Sequence, residues 1–146
     1  MGKPGLDRCM VDAMMNIDLH PHPALRWFCT LAWTALVLVT LLQSSSQPVI
    51  GPAAPPGEPP LEREILLTVG HVVAFAGLTL LWWWGLSAHT TSPSALLMAV
   101  LIALLIGIFS ELAQANVPDR AASWFDLLVN GLTIGATAWW IRQRFF

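Results

Sequence analysis

The sequence predicts an all-α membrane protein, a four-transmembrane-helix bundle with a proline-rich loop between helices 1 and 2. Three observations lead there. The chain is too apolar for a soluble domain of its size: of 146 residues, 55% are hydrophobic and 11% charged, at a mean hydropathy of +0.63. Seven basic and nine acidic residues are too few to coat a soluble surface over so much Leu, Ala, Val and Trp. The apolar residues fall into four runs of membrane-spanning length, and the basic residues collect at the two ends of the chain.

Residues 1–23 are polar, with Asp7, Asp12, Asp18 and the run His20-Pro21-His22-Pro23, and read as a cytoplasmic tail without a packed core. Met10, Met14 and Met15 leave the translation start open, and the opening residues lack the Ser or Thr of a myristoylation signal. Residues 24–146 form the membrane domain. Its first run, about 24–42, carries one charge, Arg26. About 19 residues at 1.5 Å each come close to the ~30 Å hydrocarbon core. A cleaved signal peptide is the competing reading, because Ser44-Ser45-Ser46 follows, but the run is longer than a usual signal core. Residues 43–60 then place Pro48, Pro52, Pro55, Pro56, Pro59 and Pro60 in an extended loop, since proline lacks the amide donor a helix needs.

The second run, about 66–86, is interrupted by His71 and closed by Trp82-Trp83-Trp84, residues suited to the membrane–water interface. After a short loop, Pro93 opens the third run, about 94–115, apolar until Ser110-Glu111. A turn, Asn116-Val117-Pro118-Asp119-Arg120, leads to the fourth run, about 123–141, with Ser123 as its expected N-cap. Lys3 and Arg8 precede the first run, Arg26 stands at its starting edge, and Arg142 and Arg144 follow the fourth, five of the seven basic residues. With an even number of spans, the positive-inside rule places both termini in the cytoplasm.

That topology gathers the intramembrane polar residues at the outer face. His71 opens the second span, Glu111 and Gln114 close the third, Arg120 is in the turn, and Asp126 and Asn130 open the fourth. Glu111 and Gln114 share a helix face with Gly107 and Ser110. Asp126 and Asn130 begin a stripe continued by Thr133 and Thr137. Ionisable groups inside a span cost roughly 2.5–3.5 kcal/mol each on insertion scales, so they face a bundle interior or a wet pocket. Gly107, with Gly131-x-x-x-Gly135, supplies small residues for close helix approach. Each polar residue also has a bland reading: a carboxylate–Arg120 ion pair, amide hydrogen bonds between helices, a histidine donating to a loop carbonyl. Six of them at one face exceed what helix register demands.

Other classes find little here. The net charge of −2 offers phosphates no basic patch, so no nucleic-acid partner is expected. Cys9 and Cys29 form neither a disulfide framework nor a metal set, and His20 and His22 lack ligand spacing, so neither metal nor cofactor is expected. There is no Gly-rich phosphate loop and no nucleophile elbow. An enzyme would have to use His71 with Glu111 or Asp126 as an acid–base pair.

The residues His71-Val72-Val73-Ala74-Phe75, Glu111-x-x-Gln114, Pro118-Asp119-Arg120 and Asp126-x-x-x-Asn130-Gly131 resemble, in order and spacing, the VanZ-like family of small bacterial membrane proteins. The likeness covers about residues 66–140. It departs where family members often carry Asp-Lys before the histidine; here Leu67-Thr68 stands instead, which removes a basic group or shifts it to Arg63. The resemblance implies a multi-pass protein of the bacterial inner membrane, connected with the cell envelope and glycopeptide-antibiotic tolerance, but implies no mechanism. Read together, the expectation is a non-enzymatic protein whose outward polar site binds an envelope lipid headgroup or lipid-linked cell-wall precursor, with the bilayer as its first partner and oligomerisation open. A membrane-surface enzyme and a purely structural subunit are the alternatives.

Overall fold

The computed structural model describes residues 22–43, 61–116 and 123–146, without the side chains of 61–64. The polar tail, the proline-rich loop and the turn bearing Arg120 lie outside the described residues. What is described is all-helical: α1 (Pro23–Leu42), α2 (Leu61–Leu86), α3 (Ser92–Gln114) and α4 (Trp124–Phe145). Three segments, Pro23–Leu42, Ile65–Leu86 and Ser92–Gln114, are long and apolar enough to cross a membrane, which points to a membrane protein.

The helix boundaries follow from local chemistry. Pro23 and Pro93 sit in the first turns of α1 and α3, where the missing amide leaves no intrahelical bond unmade. Ser123 caps α4, its hydroxyl accepting from the amide of Asp126 at 3.3 Å. α2 begins at Leu61, five residues before its apolar run, because the polar turn Glu62-Arg63-Glu64 continues the helix without adding hydropathy. α4 likewise runs on to Phe145 through Arg142 and Arg144, whose charges suit a helix C-terminus.

α2 is the central element. It packs against each of the other three helices, α3 packs against α1 and α4, and α1 and α4 do not meet. Two features let the helices approach. α3 buries Ala95, Ala99, Ala103 and Gly107 along one face, a four-residue repeat of small residues that brings backbones close without large side chains between them. On α2, Gly77 lies under the indole of Trp33, and a Cβ built there would come within 2.6 Å of the ring. Trp33 Nε1 also donates to the carbonyl of Ala74 at 3.2 Å. One turn earlier on α1, Thr30 Oγ1 donates to Leu81 O at 2.9 Å. Arg26, Thr30, Trp33, Val37 and Leu41 thus form the seam of α1, at three- and four-residue spacing. The apolar core between the helices is Val37, Leu41, Phe75, Leu78, Ala103 and Ile134.

The far ends of the helices define two polar groups. At one end, Arg26 donates to Trp84 O at 3.2 Å and lies over the Trp84 ring, Trp27 Nε1 donates to His89 Nε2 at 2.9 Å, and Trp83 packs on Phe145. The tryptophan triplet is therefore tied to α1 and α4 by ring contacts and hydrogen bonds. At the other end lie His71, Glu111, Gln114, Ser123 and Asn130.

Candidate functional site

The second group draws on all four helices, with Leu41, Glu111, Gln114 and Ser123 at helix ends, Asn130 about two turns into α4 and His71 nearly three turns into α2. His71 stands on α2 and Asn130 on α4; the imidazole Nδ1 and the carboxamide Oδ1 are 3.0 Å apart. With the oxygen turned to the ring, Nδ1 carries the proton and donates. The same imidazole stacks on Phe75, one turn along α2, so the ring is held by an apolar face and a polar edge.

Glu111 and Gln114, three residues apart on α3, reach opposite ways. Glu111 Oε2 accepts the backbone amide of Ser123 at 3.0 Å, and Ser123 in turn caps α4. A carboxylate thus meets the positive end of the α4 dipole, a favourable placement for its charge. Gln114 Nε2 donates to the carbonyl of Leu41 at 2.9 Å. That carbonyl is among the last four of α1, which have no intrahelical donor, so the amide satisfies an acceptor that a membrane interior would leave bare. Ser110, completely buried, returns its hydroxyl to Gly107 O at 2.8 Å.

These side chains are enclosed: His71 is 4% exposed, Glu111 6%, Gln114 1% and Asn130 1%. Two of their atoms are buried with no hydrogen-bond partner, Glu111 Oε1 and Asn130 Nδ2. One is an acceptor and the other a donor. Turning the Asn130 carboxamide over would exchange its atoms but still leave one of them unpaired. Each such atom costs about 1–3 kcal/mol if nothing fills it.

The remaining residues singled out from the sequence fall as follows. Asp126 is half-buried beside the cap, its backbone amide on Ser123. Arg120 lies outside the described residues. Gly107 is at a real helix contact: a Cβ there would stand 3.3 Å from the Phe75 ring and 3.8 Å from Asn130 Nδ2. Gly131 and Gly135 are placed differently, since a Cβ at either meets nothing within 4 Å. The expectation that they bring helices of this chain together is corrected on that geometry. A G-x-x-x-G spacing marks a smooth face but not which way that face points, and here it points away from the bundle. The close approach comes instead from Ala95, Ala99 and Ala103 on α3 and from Gly77 on α2. The four-residue spacing of the three alanines was the available signal in the sequence.

His71 directs Nδ1 to a carboxamide and not to a carboxylate. Among the described residues, no three His, Cys, Asp or Glu side chains come together as a metal set. Compared with protein-family models, curated proteins and solved structures, the chain matches none.

Proposed function

We propose that this chain is a four-span membrane protein of the VanZ-like type, whose polar cluster holds the headgroup of an envelope lipid or of a lipid-linked cell-wall intermediate. The observation that carries the reading is the unfilled valence at Glu111 Oε1 and Asn130 Nδ2. A hydroxyl or amine donating to the carboxylate oxygen, and an oxygen accepting from the carboxamide, would complete both. Arg120, which lies outside the described residues, is the cation this reading assigns to an anionic part of the same group. Binding and orientation are all this requires, and no chemistry is assigned to His71.

α4 serves as the fourth span in this reading. Its 22 residues reach about 33 Å at 1.5 Å each. Its faces differ: Asn130 is turned inward, while the apolar Leu128, Leu132, Trp139 and Trp140 face outward as lipid-contacting residues would. The positive-inside rule then puts both termini in the cytoplasm and the cluster at the outer face of a bacterial inner membrane.

Lipid copurification tests the headgroup reading. Wild type, Arg120→Ala and Glu111→Gln are extracted under identical conditions and their retained lipids compared by mass spectrometry. One species depleted in both variants is the expected result; identical profiles for wild type and Arg120→Ala sink the idea. A second reading is favoured by the three bridges His71–Asn130, Glu111–Ser123 and Gln114–Leu41, which together join all four helices. There the cluster is a lock. That reading expects Glu111→Leu and Gln114→Leu, which each break one bridge, to lower the melting temperature sharply with retained lipids and cellular phenotype unchanged.

A further inference from the structure

At the opposite end from the polar cluster, α3 and α4 line a groove of about 600 Å³. Pro93, Leu96 and Val100 form one wall, and Ala138, Trp139 and Arg142 the other. From Pro93 to Val100 it runs about 10 Å along the helix, and it opens on the outer surface of the bundle, where Trp139 is 66% exposed. Its lining is apolar except for Arg142. The guanidinium of Arg142 meets no partner among the described residues.

Charge is sorted along the molecule. The three basic residues whose side chains are described, Arg26, Arg142 and Arg144, stand at the groove end. The described side-chain carboxylates, Glu111 and Asp126, stand at the other. A groove with hydrocarbon walls and an unpaired guanidinium at a membrane surface matches one amphiphile: an acyl chain below, an anion above. Basic pockets between spans have this complementarity for anionic lipid headgroups, and a guanidinium forms paired hydrogen bonds to a phosphate better than an ammonium does.

We propose that this groove is a binding site for an anionic phospholipid, with one acyl chain between α3 and α4 and the phosphodiester on Arg142. The site rests on α4 lying in the bilayer, as proposed above, and is separate from the polar cluster. The surrounding leaflet supplies the ligand, so occupancy follows membrane composition.

Quenching of Trp139 by brominated lipid tests it. Protein is reconstituted in phosphatidylcholine vesicles carrying brominated phosphatidylglycerol or, at equal mole fraction, brominated phosphatidylcholine. The Trp139 signal is the difference between each protein and its Trp139→Phe counterpart. Wild type is expected to show a roughly fivefold relative preference for phosphatidylglycerol, the size that one arginine at a membrane surface supplies. Arg142→Ala should bring the ratio to one, Arg142→Lys should keep most of it, and Arg144→Ala should leave it unchanged. A ratio of one in wild type, or a preserved ratio in Arg142→Ala, overturns the site. So does a Trp139 shielded from both lipids, which marks a second copy of the chain on this face. Quenching of the other tryptophans by brominated phosphatidylcholine reports embedding separately. If they are quenched while selectivity is absent, only the lipid site fails; if no tryptophan is quenched, the spanning reading fails with it.

Discussion

The imidazole Nδ1 of His71 and the carboxamide Oδ1 of Asn130 stand 3.0 Å apart, joining α2 to α4 across 59 residues of sequence. Both side chains are buried, so neither can exchange this partner for water without opening the helix pair. Burial makes the bond consequential for packing, and the unpaired Nδ2 of the same carboxamide is one of the two atoms on which the proposed headgroup site rests. A double-mutant cycle with His71→Phe and Asn130→Leu, read by reversible unfolding in mixed micelles, should give a coupling of about 0.5–2 kcal/mol. Additive effects would mean that the two side chains act independently.

Glu111 separates binding from packing. Glu111→Gln keeps an oxygen for the amide of Ser123 and should cost less than about 1 kcal/mol. Glu111→Leu strands that amide and should cost about 1–3 kcal/mol. Retained lipid, in contrast, should fall in both. Equal stability loss in the two variants, with lipid unaffected, would favour the lock.

Gln114→Leu leaves the carbonyl of Leu41 without its donor at the end of α1. The expected cost is about 1–3 kcal/mol. The change should be local, appearing as faster hydrogen exchange in the last turn of α1 with α2 unaffected. Uniform acceleration over all helices would show that the bond supports the whole bundle instead.

The glycines divide by what faces them. Gly77→Ala drives a methyl into the Trp33 indole, 2.6 Å from its nearest atoms, and should destabilise by about 1–3 kcal/mol. Gly107→Ala meets the Phe75 ring at 3.3 Å and asks that ring to yield by a few tenths of an ångström, a smaller loss. Gly131→Ala and Gly135→Ala meet nothing and should gain about 0.5–1 kcal/mol from the lower entropy cost of Ala in a helix. A loss at either, together with a change of oligomeric state by cross-linking, would reveal a partner on that face.

Much of this molecule is written in local pattern. The apolar runs place the helices because hydropathy and helix length are properties of contiguous residues. Ser123 is readable as a cap because the residue types that cap a helix are few. His71, Glu111, Gln114 and Asn130 stand out because polar groups amid apolar neighbours need partners, and alternation of helix direction puts them at one end. Even the α3 stripe Ala95, Ala99, Ala103 and Gly107 has a spacing that can be seen without coordinates.

The partners themselves belong to the tertiary structure. That Gln114 would find the carbonyl of Leu41, and Glu111 the amide of Ser123, has no mark in the sequence, since every residue carries the same backbone groups and only proximity selects one. The outward turn of Gly131 and Gly135 was settled by rotation of α4 about its axis, which burial of Asn130 and Ile134 sets and a G-x-x-x-G spacing does not. The groove beside Arg142 is lined by residues of two helices that lie far apart in sequence. The residues alone determined which groups need partners and roughly at which end; the packing decided which pairs form, and left Glu111 Oε1 and Asn130 Nδ2 without one.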